Sequence, residues 1–298
     1  MTALTPSHAG PAAAVHRRRH RPRHWLAVLP LLVFAGLCCG LPLIALAHGA
    51  LTGTDPATGT TALTSEHLQR SLQGTYLTSL AGSVKLSLIT AVLGSAVGCV
   101  VAQAVVTSGM PRLRNAVLTA SGVLANFGGV PLAFAFIATL GISGVLTQVL
   151  HLDGLGWNLY SVTGLTAVYL YFLSPLMVLV ITPALDGLRP QWREAAQNAG
   201  ATTWQFWRHV GLPVLMPSAL GGFVLLFGSA FAAHATAAAL VGGSVPLVTL
   251  KIADALAGNV LAGQENVALA LSLDMIVIAA VVMALYLPLK RRSARWLR

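Results

Sequence analysis

The sequence predicts an all-α, polytopic membrane protein with about six transmembrane helices, and three observations lead there. Of its 298 residues, 56% are hydrophobic and only 9% charged, with a mean hydropathy of +0.76; a soluble domain carries about a quarter charged residues. Six apolar runs reach the roughly 20 residues needed to cross a bilayer. Of the 18 lysines and arginines, all but Arg70, Lys85 and Lys251 fall on one side when the runs are threaded alternately. Because unpaired backbone groups are too costly in hydrocarbon, each run must be a helix; none shows the period-two alternation of barrel strands.

Taken in chain order, residues 1–25 form a basic tail carrying Arg17, Arg18, Arg19, Arg21 and Arg23. His16, His20 and His24 share a four-residue spacing, but Pro22 breaks any common helix face and the arginines repel a cation. The tail is expected to lie solvated near anionic lipid. The first run, 26–48, ends in Ala45-Leu46-Ala47, which imitates a signal-peptide cleavage site. It is longer than a signal core of roughly 7–15 residues, so an uncleaved first span is expected. Further spans are expected at 76–106, 115–140, 161–184, 218–241 and 267–288, with residues 26–298 forming one transmembrane domain. Pro42, Pro131 and Pro175 are tolerable within such helices. The basic residues then place both termini in the cytoplasm.

The net charge of +10 points to topology and not to nucleic acid, because the basic residues cluster beside apolar runs. Cys38, Cys39 and Cys99 lie inside apolar runs and form neither a disulfide framework nor a metal-ligand spacing. The sequence contains no phosphate-cradling Gly-x-x-x-x-Gly-Lys-[Ser/Thr], no Gly-x-Ser-x-Gly elbow and no His-Glu-x-x-His pair. It therefore reads as neither an ATPase nor another enzyme, with no metal or cofactor of its own.

One segment, 185–217 on the cytoplasmic side, is too polar for the membrane yet rich in helix formers and aromatics. Pro190 suits a first helical turn, Glu194, Ala195 and Ala196 favour helix, and Gly200 suits a left-handed cap. A second short helix over 203–210 carries Trp204 and Trp207, and Pro213 is expected to stop it. Two short helices meeting at a glycine, with aromatics toward water, have the character of a docking surface.

Glu194-Ala195-Ala196, then Gly200, Val210 and Leu212-Pro213, resemble in residue type, spacing and position the EAA loop of permease subunits of ATP-binding-cassette (ABC) importers. Val210 stands where an isoleucine is more usual. The resemblance runs from about the second span to Arg298. Asn126–Phe136 and Ala184–Pro190 are similar to the spermidine/putrescine-type branch. Such a resemblance implies that the loop is a coupling helix seated in a groove of a separate cytoplasmic ABC ATPase, which binds and hydrolyses ATP. It further implies a second permease subunit and an extracytoplasmic solute-binding protein docking on outer loops 49–75, 141–160 and 242–266. The location implied is the inner membrane of a prokaryote.

Ionisable residues inside spans mark pairs or pathways. Lys85, His234 and Asp274 qualify, and Lys85 and Asp274 are candidates either to pair or to face a path. Asn126, Tyr169 and Tyr171 are further path candidates, each equally compatible with packing. Lys85 near a span end can also snorkel outward. The competing reading is an ion-coupled secondary transporter or channel that uses Lys85, His234 and Asp274 as a proton relay; a non-transporting membrane scaffold is a third. No paired inverted repeat supports the secondary transporter.

Overall fold

The computed structural model describes residues 24–54, 61–257 and 265–294. The chain divides into two units, one ending at Ala45 and one beginning at Leu46. The basic tail expected over 1–25 lies almost wholly outside the described residues, as do Arg295 and Arg298.

In the first unit, α1 (His24–Ala35) passes through a π-helical turn, Gly36–Gly40, into α2 (Leu41–Leu51), which continues past the unit boundary. Pro42 follows that wide turn by two residues. A proline ring clashes with the carbonyl four residues back, and a π turn opens the space for it.

The second unit begins with a small antiparallel hairpin, β1 (Thr52–Thr54) and β2 (Thr61–Leu63), followed by α3 (Glu66–Ser71). Next come α4 (Gly74–Thr107), α5 (Pro111–Asn126), α6 (Val130–Leu140), α7 (Val145–Val149) and α8 (Val162–Asp186). The chain continues through α9 (Pro190–Asn198), α10 (Thr203–Phe206), a second π turn at Trp207–Gly211, and α11 (Leu212–Ala232). It closes with α12 (Ala235–Leu240), α13 (Val248–Leu256) and α14 (Glu265–Ala294). Across the described residues, six helices are long and apolar enough to cross a membrane: Val28–Leu51, Gly74–Thr107, Val130–Val149, Val162–Asp186, Thr203–Ala232 and Glu265–Lys290.

The core of the second unit is α4 packed along α8, with α11 against both. Apolar lipid gives no hydrophobic drive between spans, so close approach of small residues does the work. Ser87, Ala91, Gly94, Gly98 and Ala102 of α4 are buried along its length. A Cβ at Gly98 would sit 2.7 Å from the Ser174 carbonyl oxygen of α8. Leu173, Met177 and Ile181 of α8 fill the contact from the other side. Near the start of α4, a Cβ at Gly82 would strike the Pro246 carbonyl, and Ser83 Oγ accepts the Val248 N–H at 2.9 Å, which fixes α13 to α4. With 34 residues, α4 is about 51 Å long at 1.5 Å per residue. It therefore overruns a hydrocarbon core of ~30 Å, and its polar first turns project beyond it.

The helices differ from the expected spans at two places. The third run, 115–140, is not one helix. Phe127-Gly128-Gly129 interrupts it, with Gly129 at φ +76°, and Pro131 starts the next helix. α5 is the polar half and lies against α8, while the membrane-length stretch starts at Val130. The fifth run, 218–241, starts earlier and breaks sooner: the helix runs from Thr203 to Ala232 and is interrupted at Ala233–His234.

Candidate functional site

The segment between α8 and α11 is built from strong local signals. Arg189 is extended, as a residue before proline should be, and Pro190 opens α9. Gly200 takes φ +79°. Its N–H donates to the Gln197 carbonyl at 2.9 Å, and the Ala201 N–H donates to the Ala196 carbonyl at 2.9 Å. This is a Schellman closure, and the left-handed conformation it needs belongs to glycine. Directly after it, Thr202 and Gln205 form a capping box: the Thr202 N–H donates to Gln205 Oε1 at 2.7 Å and the Gln205 N–H to Thr202 Oγ1 at 3.3 Å. The angle between α9 and α10 is therefore fixed by backbone geometry.

Between these fixed points α9 has no buried residue; Glu194 and Ala195 are exposed and Ala196 half-buried. Trp204 is 68% exposed, whereas its neighbour Phe206 is buried and packs edge-on against the half-buried Trp207. Val210 is half-buried, Leu212 exposed and Pro213 half-buried. The expectation that Pro213 ends the second short helix is corrected here. The helix continues from α10 through the π turn into α11, and the Leu212 N–H donates to the carbonyl of Trp207, five residues back. That wider turn removes the clash Pro213 would otherwise make with the His209 carbonyl. The result is one rod from Thr203 to Ala232. Just before α9, Arg114 of α5 pairs with Asp186 at the end of α8.

The far end of the rod leads to the second feature, where the two helix interruptions meet. The Gly129 N–H donates to Thr236 Oγ1 at 2.9 Å, and the Thr236 hydroxyl returns a bond to the Gly129 carbonyl at 3.3 Å. Tyr169, fully buried, donates its hydroxyl to the Ala233 carbonyl at 2.9 Å. Irregular backbone at membrane depth requires such partners. Tyr169 is thus a packing and capping residue of the core. Tyr171 is half-buried, edge-on to Phe136 at 5.6 Å between ring centroids. Asn126 is exposed and bonds back to the Gly122 carbonyl at 2.9 Å. His234 is exposed, at the interruption itself.

Lys85 and Asp274 form no ion pair with each other among the described residues. Lys85 is exposed, whereas Asp274 is half-buried and accepts the Ser71 hydroxyl at Oδ2, 2.6 Å away, where α3 lies on α14. Neither is joined to His234. Gly129, Thr236 and Ser71 are the contributors the sequence reading missed. Among the described residues, no three His, Cys, Asp or Glu side chains gather as a metal site.

Comparison with known proteins supplies the family. Residues 117–295 match the family described as binding-protein-dependent transport system inner membrane component. Over 94 residues the chain is 35% identical to the inner membrane ABC transporter permease protein YdcU of Escherichia coli (strain K12), covering 31% of this chain and 30% of that protein. It is 32% identical over 115 residues to the osmoprotectant import permease protein OsmW of Salmonella typhimurium, covering 39% and 52% respectively. For the sulfate transport system permease protein CysT of Escherichia coli (strain K12) the figures are 35% over 68 residues, with 23% and 24% covered. The matches thus span from about a quarter to about half of these relatives' lengths. The fold is that of a chain in the crystal structure of a bacterial ABC transporter involved in the import of the acidic polysaccharide alginate. There the TM-score is 0.68 at 18% identity, with 91% of this chain and 96% of that chain covered. Osmoprotectant, sulfate and thiamine permeases all occur among the relatives, so the narrower spermidine/putrescine-type branch is not singled out. The chain belongs to the family of binding-protein-dependent transport system inner membrane components, and it is built as a multi-pass membrane protein with the fold of an ABC transporter permease.

Proposed function

We propose that this chain forms part of the translocation path of an ATP-driven solute importer and is driven through α9 and α10 by a separate ATPase subunit, which binds the ATP. The observation that carries the reading is the rod Thr203–Ala232. One end adjoins a capped helix with no buried residue, which carries Glu194 and is closed by Gly200; the other adjoins the junction of two interrupted helices. Movement imposed on α9 and α10 is therefore delivered to Ala233, Thr236 and Gly129. Switching of that junction between two arrangements would give alternating access.

In this reading α9, α10 and both termini face the cytoplasm, as the distribution of basic residues requires. Ala195 and Ala196 allow close approach of the ATPase groove, and Glu194 and the exposed Trp204 supply its polar and aromatic anchors. A second permease subunit completes the path, and a solute-binding protein docks at the opposite end, over 49–75, 141–160 and 242–266. The substrate is a polyamine or another small solute; the Asp274 carboxylate, which could attract a cation, also accepts the Ser71 hydroxyl.

The test is co-purification from detergent. The tagged chain is expected to retain an ATP-hydrolysing partner, and Glu194→Lys with Gly200→Asp to lose it while still inserting in the membrane. Retention of the partner by that double variant, or its absence from the unaltered chain, would overturn the reading.

A further inference from the structure

A groove of about 760 Å³ lies between α4, α8 and α11, walled by Cys99, Gln103, Trp207, Leu212, Met216 and Phe223 among others. The half-buried Gln103 carries the polar side chain of that wall; the rest is apolar or aromatic. Leu212 and Met216 on its rim are 55% and 53% exposed, so the groove opens sideways from the protein. Gly211 leaves room for the Trp207 ring, since a Cβ there would run into it.

Its position relative to the bilayer identifies what fits. From Leu212 to Phe223 the helix climbs about 17 Å at 1.5 Å per residue, about half of a hydrocarbon core of ~30 Å. The groove is therefore one leaflet deep, on the side where the basic residues gather. Arg208, which follows the wall residue Trp207 in the chain, is exposed and in no ion pair among the described residues. An apolar channel of one leaflet's depth, with a free guanidinium at the headgroup level, matches an anionic phospholipid: acyl chain along α11, phosphate on Arg208.

We propose that one anionic phospholipid of this leaflet is a specific ligand of the groove. Because Trp207 and Leu212 form both the groove wall and the π turn of the rod, an occupying lipid would brace the joint through which α10 moves α11. Membrane composition would then tune the importer from within the bilayer.

The test uses the full chain in detergent with Cys38 and Cys39 replaced by serine, leaving Cys99 as the remaining thiol of three. The protein is delipidated and titrated with phosphatidylglycerol or phosphatidylcholine, and alkylation of Cys99 by N-cyclohexylmaleimide is timed. Phosphatidylglycerol is expected to slow labelling saturably and at lower concentration than phosphatidylcholine. Arg208→Gln is expected to raise the phosphatidylglycerol concentration for half-protection about fivefold and leave phosphatidylcholine unchanged, with Arg208→Lys restoring the preference. The proposal is overturned if neither lipid alters the rate or if both protect equally. Protection that appears without lipid and rises with protein concentration overturns it too, because a second copy then fills the groove. Since no ATPase enters this measurement, its failure leaves the importer reading untouched.

Discussion

Gly129 and Thr236 lie 107 residues apart in sequence and bond to each other twice, at 2.9 and 3.3 Å. Gly129 closes the break between α5 and α6, and Thr236 stands in the first turn of α12, just after the break at Ala233–His234. Thr236→Val keeps shape and removes both bonds, leaving the part-buried Gly129 N–H unpaired while the Gly129 carbonyl keeps the Ala133 N–H. It is expected to destabilise the protein by about 1–3 kcal/mol, read as a lower Tm in detergent, whereas Thr236→Ser should recover most of the loss.

A second expectation concerns the α4–α8 contact. Gly98→Val places atoms against the Ser174 carbonyl and Met177. Overpacking of that kind costs about 1–3 kcal/mol, and the variant should melt earlier than wild type. Gly36→Val, with nothing within 4 Å of its added Cβ, is the control and should leave the transition nearly unmoved.

Gly200→Ala forces a side chain into a left-handed conformation at φ +79°, at about 1–2 kcal/mol. α9 has no buried residue, so the cost is expected to appear as fraying of the α9 end and weaker ATPase retention. The global melting temperature should hardly shift. Hydrogen exchange at Gln197–Ala201 measures the fraying directly.

Trp204 and Phe206 separate docking from stability. Phe206→Ala removes a buried ring and should cost about 3–5 kcal/mol. Trp204→Ala removes an exposed one and should leave stability within about 0.5 kcal/mol of wild type, while reducing the amount of ATPase recovered.

Arg114→Gln breaks an ion pair whose side chains are 39% and 41% exposed. Pairs so solvated contribute about 0–1 kcal/mol, so a small loss of stability, shrinking further in high salt, is expected. A loss well above that range would mean the pair is shielded in the assembled protein.

The spans were legible because hydrocarbon demands long apolar runs, and nothing about Gly74–Thr107 or Val162–Asp186 depends on distant partners. The α9–α10 bend was legible because Pro190 and Gly200 act through their own backbone, whereas the Thr202–Gln205 capping box went unread. Pro213 misled, because the rule that proline stops a helix assumes an α turn before it, and the π turn at Trp207–Gly211 lifts that assumption. Nothing local announced the partners of the interruptions or of Asp274: Ser71 reaches Asp274 across 203 residues of sequence. The sequence left Tyr169 equally open to packing and to a path, and nothing local announced that its hydroxyl caps the Ala233 carbonyl.

The central claim is that α9 and α10 are the seat of a separate ATPase, and photo-cross-linking tests it most directly. A photoreactive amino acid is placed at Trp204, 68% exposed, and separately at Leu63, 84% exposed on the β2 strand of the opposite end. The expected result is an adduct with an ATP-hydrolysing polypeptide from position 204 and none from position 63. An absence of such an adduct at 204, or an equal yield from 63, would contradict the claim.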